Sequence, residues 1–203
     1  MNETSLSLLD QLRVSNEEDA WGKLHRIYGP LVHKWLTKYD VQLSDADDLT
    51  QEVLLAVSRD ISVFEHNGRP GAFRSWLKGI LLNRLRNFWR SRDRRPQASA
   101  GSDVDRRLDK LEDPASQITL IWNKEHDNHV LRSLLSIVEP HFEAKTWAAF
   151  RMMTLEGKKP NVVAEQLGVS LNAVFIAKSR VLSRLRQESE GLVEASSTFL
   201  PGS

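Results

Sequence analysis

Hydrophobic residues recur every three or four positions along most of the chain, which is the period of an amphipathic helix. In the first half, this pattern covers residues 6–36, 49–57 and 73–88. A break at residues 67–71, which read Asn-Gly-Arg-Pro-Gly, separates the last two stretches. No segment alternates apolar and polar residues as a half-buried strand does. The pattern therefore predicts an all-α fold.

The helical pattern stops between residues 96 and 115, where Pro, Gly, Ser and alternating charges replace the apolar positions. Such a composition is typical of a flexible linker. Because helical spacing resumes after it, we expect two small helical domains on either side of this linker. The predicted bounds are residues 1–95 for the first domain, 96–115 for the linker, 116–188 for the second domain and 189–203 for a C-terminal tail.

The end of the second domain has the form of a helix-turn-helix. A short helix over residues 161–167 is expected to stop at Gly168, which suits a left-handed turn. Ser170 can then cap a second helix over residues 171–188. An ordinary helical hairpin with a solvated basic face is the alternative interpretation.

In a helix-turn-helix, the first turns of the second helix reach base edges in the major groove, and basic side chains beyond them hold phosphates. Phe175 and Ile176 are unexpected on such a surface. They either contact thymine methyl groups or pack against a neighbouring element. The residues predicted to bind duplex DNA are Asn172, Phe175, Ile176, Lys178, Ser179, Arg180 and Arg184.

An acidic segment opens the helix predicted after residue 44. Ser44 or Asp45 is expected to cap it, with acidic residues of the first turn favoured by the helix dipole. A solvated first turn is the simplest interpretation of these acids, and a partner-binding surface is the functional one. The residues that share one side of this helix are Asp48, Gln51, Glu52 and Leu55.

The helix predicted over residues 72–92 combines arginines, aromatic residues and two asparagines that are four residues apart. Aromatic rings among basic residues, with amides that read base edges, are typical of a surface for unpaired nucleic acid. Trp76 and Phe88 are alternatively core residues, and Trp89 is the aromatic residue expected to be partly exposed. The predicted contacts are Trp76, Asn83, Arg84, Asn87 and Arg90.

Composition narrows the classes of function. The chain has no cysteine, which excludes disulfides and thiolate metal sites, and its net charge of +1 hides strongly basic stretches. No apolar run approaches the ~20 residues of a membrane span, and no signal peptide is apparent, so we expect a soluble, cytoplasmic protein.

His126 and His129 are interpreted as surface histidines rather than metal ligands. Without a phosphate loop, nucleophile elbow or zinc motif, we expect no enzyme, no cofactor and no metal.

Taken together, these motifs resemble a bacterial sigma factor of the extracytoplasmic-function (ECF) class, over residues 6–188. Residues 28–32, with Trp35, resemble the opening of that family's first domain. Residues 45–53 resemble its Asp-Ala-Glu-Asp-Leu-x-Gln-Glu-Val signature. Residues 73–77 with Asn83 resemble the part of that family that opens and reads the −10 box of promoter DNA, and residues 147–186 resemble its domain that binds the −35 box.

The resemblance implies a non-enzymatic subunit that binds core RNA polymerase, recognises the −10 and −35 elements of promoter DNA and nucleates promoter opening. Residues 1–95 would be the region 2-like domain, in which the acidic helix binds polymerase and the basic helix reads and melts the −10 element. Residues 116–188 would be the region 4-like domain, which binds the −35 element. An anti-sigma factor is implied as a further partner, and the free protein is expected to be a monomer.

Three residues depart from the family pattern. Gly79 stands where a basic residue is common in that family. Phe175 and Ile176 stand where Arg or Lys and Ser are usual, so the resemblance does not indicate which −35 sequence this chain recognises. The alternative function is a helix-turn-helix regulator that binds duplex DNA without joining polymerase. A regulator of this kind would be a dimer that reads a palindrome.

Overall fold

The computed structural model describes residues 8–14, 18–65, 71–93, 109–110, 113, 116–190 and 192, and the structural statements below concern these residues. The described part of the chain is helical and contains no strand, which confirms the all-α prediction. Its helices are α1 (Leu8–Val14), α2 (Glu18–Lys38), α3 (Leu43–Asp60), α4 (Ala72–Asp93), α5 (Gln117–Val138), α6 (Ala144–Thr154), α7 (Pro160–Leu167) and α8 (Leu171–Ser189), with short 3-10 turns at Ile61–Val63 and Glu139–His141.

Helix α3 begins earlier than its sequence suggests. Gln42 is the N-cap residue and makes no side-chain capping bond, so the predicted caps Ser44 and Asp45 lie inside the first turn, and that prediction is wrong. The physical reason is a tertiary contact of Asp45. The Asp45 carboxylate lies 3.1 Å from the Arg92 guanidinium at the far end of α4, so it ties two helices together instead of closing one.

The turn between α7 and α8 has the geometry expected of a helix-turn-helix. Pro160 stands in the first turn of α7, and Gly168 ends that helix with φ 63° and ψ 42°, a left-handed conformation. The Ser170 hydroxyl accepts a hydrogen bond from the Ala173 amide at 3.2 Å and so caps α8. Both local predictions agree with the structure.

Helix α5 connects the two halves of the molecule. Toward its N-terminal end, Trp122 is fully buried and meets Trp35 of α2 edge-on, with ring centroids 4.4 Å apart. Toward its C-terminal end, Leu134 and Val138 belong to the same buried cluster as Leu185 of α8. One apolar core therefore runs from the first half through α5 into the second half.

A smaller apolar cluster holds the helix-turn-helix together. Its buried members come from α6, α7 and α8, and Ala164, Leu167, Val169 and Val174 lie in it or against it. Leu182, further along α8, belongs to the main core.

The predicted linker and tail fall mostly outside the described residues. Within the linker, Asp109 and Lys110 are helical, and Asp109 lies 3.1 Å from Arg86 of α4. Within the tail, Leu192 is buried against the main core.

Candidate functional site

The acidic side of α3 is exposed. Its apolar stripe, which includes Leu49, Val53 and Val57, faces the core, whereas the predicted polymerase-binding residues face outward. Leu55 is 69% exposed, an unusual state for a leucine on a helix with a well-packed apolar stripe. The structure thus brings four predicted residues onto one open face, namely Asp48, Gln51, Glu52 and Leu55.

A groove of about 640 Å³ runs beside this face, between α2 and α3. Gln51 borders both the groove and the exposed face. Across the groove wall, His33 Nε2 lies 3.2 Å from a carboxylate oxygen of Asp47. Sequence reasoning did not identify this groove, because it depends on how two helices pack and has no local pattern. Its other lining residues are His25, Arg26, Gly29, Pro30 and Thr50.

The asparagine and arginine face of α4 is also open. Asn83, Asn87 and Arg90 are exposed, and Arg84 is half-buried. The Asn87 amide donates a hydrogen bond to the Asn83 side-chain oxygen at 3.4 Å, so the two amides already lie side by side. The structure therefore groups four of the five residues predicted to contact an unpaired strand.

The aromatic residues of α4 differ from expectation. Trp89 is only 8% exposed, so the prediction that it is the partly exposed ring is wrong. It continues the buried stripe of Leu77, Leu81 and Leu85 at four-residue spacing and belongs to the main core. Phe88 is half-buried instead, with the Arg92 guanidinium 4.9 Å from its ring centre.

Trp76, the fifth residue predicted to contact the −10 strand, is partly covered. Its ring lies 4.8 Å from Phe64 and 5.6 Å from Phe73, measured between centroids, in a small aromatic group at the start of α4. The ring remains half-buried rather than fully enclosed.

On α8, the structure separates the predicted duplex-binding residues into two groups. Asn172, Phe175, Ile176, Ser179 and Arg180 are exposed, and Lys178 is half-buried. Arg184 forms an ion pair within the helix instead. Its guanidinium lies 2.7 Å from the carboxylate of Glu188, a residue whose side chain is only 3% exposed.

The interpretation of His126 and His129 as surface residues is wrong. His126 is completely buried, because it shares the stripe of Trp122 and Val130 that packs against α2. His129 donates a hydrogen bond to the Ile27 carbonyl at 2.7 Å and is half-buried. The four-residue spacing of Trp122, His126 and Val130 was the signal that could have shown this.

A buried polar network surrounds His126. Its Nδ1 lies 2.9 Å from the Asp127 carboxylate, which the Arg74 guanidinium also contacts. Burial lowers the pKa of His126, against the opposing effect of Asp127. Burial would raise the pKa of Asp127, but hydrogen bonds from His126 and Arg74 outweigh it and hold that pKa below its ordinary value. Burial also raises the pKa of neighbouring Tyr28.

Within the described ranges, no three His, Asp or Glu side chains are grouped as metal ligands. No helix among the same residues is long and apolar enough to cross a membrane.

Comparison with known proteins gives concordant results. The sigma-70 region 2 family model matches residues 24–95, the stretch that contains α3 and α4. The chain is 28% identical over 178 residues to the ECF RNA polymerase sigma factor SigE of Mycolicibacterium smegmatis, covering 88% of this chain and 63% of that protein. It is 30% identical over 91 residues to the ECF RNA polymerase sigma factor BldN of Streptomyces coelicolor, covering 45% of this chain and 34% of that protein.

The chain therefore spans less than two thirds of the length of these curated relatives. A solved RsbN-BldN complex is 19% identical, with 88% of this chain and 97% of that chain covered, but its TM-score of 0.34 is too low to carry a structural argument. Residues 24–95 thus match the sigma-70 region 2 family, and the chain is similar to sigma factors of the extracytoplasmic-function class.

Proposed function

We propose that this chain is a non-enzymatic specificity subunit that binds core RNA polymerase in the cytoplasm, recognises a −10 and a −35 promoter element and nucleates strand opening. The observation that carries the proposal is the presence of two different open faces on one region 2 domain. One is the acidic face of α3, and the other is the asparagine and arginine face of α4. A regulator that binds only duplex DNA would require neither of these two faces.

The face of α3 suits a basic or polar helical partner. Asp48 and Glu52 would steer the encounter and fix its register, because complementary charges act mainly on association rate and specificity. Leu55 would supply the apolar contact that the exposed leucine otherwise lacks. We assign this face, including Gln51, to core polymerase.

The face of α4 suits the non-template strand of the −10 element. Adjacent amides of Asn83 and Asn87 can hydrogen-bond to the edges of unpaired bases, while Arg84 and Arg90 bind phosphates. Opening a duplex costs a few kcal/mol per unstacked base. Holding the displaced base against protein, with Trp76 as a stacking candidate, would offset that cost.

The helix-turn-helix would hold the −35 duplex. Its recognition helix α8 presents Asn172 from its first turn and Ser179 and Arg180 from its third turn, with Lys178 on the same helix. An anti-sigma factor that covers these faces would silence the protein, and the free chain would be a monomer.

Run-off transcription tests the proposal. The full chain is added to purified bacterial core polymerase on templates recovered by selection from a random duplex library with the same mixture. Wild type should start transcription at discrete sites, and Asn83→Ala should retain polymerase binding but lose most of the permanganate-reactive thymines that mark the open strand. Asn128→Ala removes an exposed amide from α5 and is the matched control.

Two results would contradict the proposal. One is a wild-type protein that shifts duplex DNA yet neither joins core polymerase nor starts transcription. The other is a stable dimer of the free chain in sedimentation equilibrium, because a palindrome-reading regulator is dimeric.

A further inference from the structure

One face of α8 carries an apolar pair in a polar setting. Five residues at three- and four-residue spacing are exposed along it, while Val174, Ala177 and Val181 on the opposite side are buried. Phe175 is 49% and Ile176 43% exposed. Within the described part of the chain, the alternative in which both pack against a neighbouring element is therefore wrong. The exposed face consists of Asn172, Phe175, Ile176, Ser179 and Arg180.

The charge around this pair selects the kind of partner. No acidic residue occurs from residue 166 to residue 187, whereas Lys178 and Arg180 lie on the same helix. Among the ion pairs of the described residues in this half of the chain, none involves Lys178 or Arg180. A surface that combines uncompensated cations with bare apolar groups suits a polyanion that itself offers apolar groups.

Duplex DNA is such a polyanion. Phosphates line its grooves, and the C5 methyl of thymine is the apolar group exposed in its major groove. The side chains of Phe175 and Ile176 can neither donate nor accept a hydrogen bond. Against the edge of a G·C pair they would bury unpaired donors and acceptors, which costs binding free energy, whereas against thymine they gain apolar contact.

We propose that Phe175 and Ile176 read thymine methyl groups in the −35 duplex, an assignment that rests on the function proposed above. The two side chains lie about 100° apart around the helix axis and on either side of the line from Asn172 to Ser179. They therefore contact methyl groups of two different base pairs. Asn172, between them, is suited to adenine N6 and N7, so the three together specify an A·T-rich site.

Deoxyuridine in place of thymidine tests this directly, since it removes the methyl group and leaves base pairing intact. The probe is the best duplex recovered by selection with the full chain and core polymerase, synthesised with thymine or with uracil in its −35 segment. Each lost methyl contact should weaken binding about fourfold, from about 0.8 kcal/mol per buried methyl-sized group. With two such contacts, we expect a total effect of about fifteenfold.

Variants assign the effect to residues. Phe175→Ala and Ile176→Ala should each bind the thymine duplex more weakly and show a reduced thymine-to-uracil ratio. The double variant should bind both duplexes equally. Leu155→Ala removes another large exposed apolar side chain at the end of α6 and should keep the wild-type ratio.

The outcomes separate the two proposals. If no duplex is selectively retained by wild type, both the proposed function and methyl recognition are contradicted. If a duplex is retained but thymine and uracil forms bind equally, only methyl recognition is overturned. The same holds if Phe175→Ala and Ile176→Ala leave the ratio unchanged, and the apolar pair then faces a protein.

Discussion

Arg74 of α4 and Asp127 of α5 are joined by a double contact, with Arg74 Nη1 2.7 Å from each of the two carboxylate oxygens. The Arg74 side chain is only 8% exposed, so this pair is largely removed from water. The contact links a helix of the region 2 domain to the helix that leads into the helix-turn-helix. It is supported by Gly71, whose φ of 72° and missing side chain leave room for the Arg74 guanidinium.

Removing one partner of this pair should destabilise the protein. Asp127→Ala leaves a buried guanidinium without its carboxylate, and we expect a loss of about 2–4 kcal/mol, discounted because Asp127 is partly exposed. Urea unfolding followed by tryptophan fluorescence measures the change. Asp60→Ala, which breaks an exposed pair with Arg59, should leave the midpoint unchanged. Equal effects of the two variants would contradict the role given to Arg74 and Asp127.

Stability should fall as the solution becomes mildly acidic. The pKa of His126 is lowered below its ordinary 6.5 by burial, and Arg74 and His129 lower it further against the effect of Asp127. The unfolded chain therefore binds the proton more tightly. The stabilisation that comes from neutral His126 is complete above the pKa that this residue has in the unfolded chain. It is lost as the pH falls below that pKa.

Between pH 7 and pH 5.5, this effect should lower the free energy of unfolding. Asp127 adds nothing in that window, because its lowered pKa makes its contribution fail only near and below its ordinary 3.8. His126→Gln should flatten the profile, whereas His141→Gln, at an exposed position, should preserve it. A wild-type profile that is flat from pH 7 to pH 5.5 would refute this assignment.

Two glycine substitutions should change stability in opposite directions. Gly79 lies exposed inside α4, and a side chain there meets nothing within 4 Å, so Gly79→Ala should stabilise the protein by about 0.5–1 kcal/mol. Gly168 also has open space but a φ of 63°, so Gly168→Ala should destabilise by about 1–2 kcal/mol. Gly168→Asn should recover part of that loss, because Asn tolerates the left-handed region. Thermal unfolding of the three variants measures these changes in stability. If Gly79→Ala and Gly168→Ala shifted the unfolding midpoint in the same direction, this geometry would be contradicted.

Arg184 and Arg180 should behave differently although both were predicted to bind duplex DNA. Arg184→Ala leaves Glu188 buried without its cation, so we expect a loss of about 1–3 kcal/mol of stability, limited by the partial exposure of Arg184. Arg180→Ala removes an exposed side chain and should weaken DNA binding without changing the unfolding midpoint. If the unfolding midpoint of Arg184→Ala equals that of wild type, its guanidinium is not required by Glu188 and is available to DNA.

Local features of this fold could be predicted from sequence, because their causes are local. Apolar spacing defined the helices, and Gly168 and Ser170 marked the helix-turn-helix turn through their own backbone and capping chemistry. The open face of α3 was predictable for the same reason, since Leu49, Val53 and Val57 already account for its buried side.

Features that depend on packing between helices were missed. Trp89 and His126 lie on helices whose covered side is decided by a partner, so neither the surrounding arginines nor the polar neighbours revealed their burial. Asp45 is of a residue type that commonly caps helices, but it instead contacts Arg92, which lies 47 positions away in sequence. The contact of Arg74 with Asp127 likewise needs the arrangement of α4 and α5, which no sequence pattern specifies.

The most direct test of the sigma factor account is the affinity of the full chain for purified bacterial core RNA polymerase, measured by fluorescence anisotropy of the labelled chain. Wild type and Glu65→Arg, a charge reversal at an exposed acid beyond the end of α3, should bind equally in a 1:1 complex. Asp48→Arg should bind at least about tenfold more weakly, because a like-charge contact in an interface costs several kcal/mol. No complex with wild type, or equal affinities for Asp48→Arg and wild type, would contradict the account.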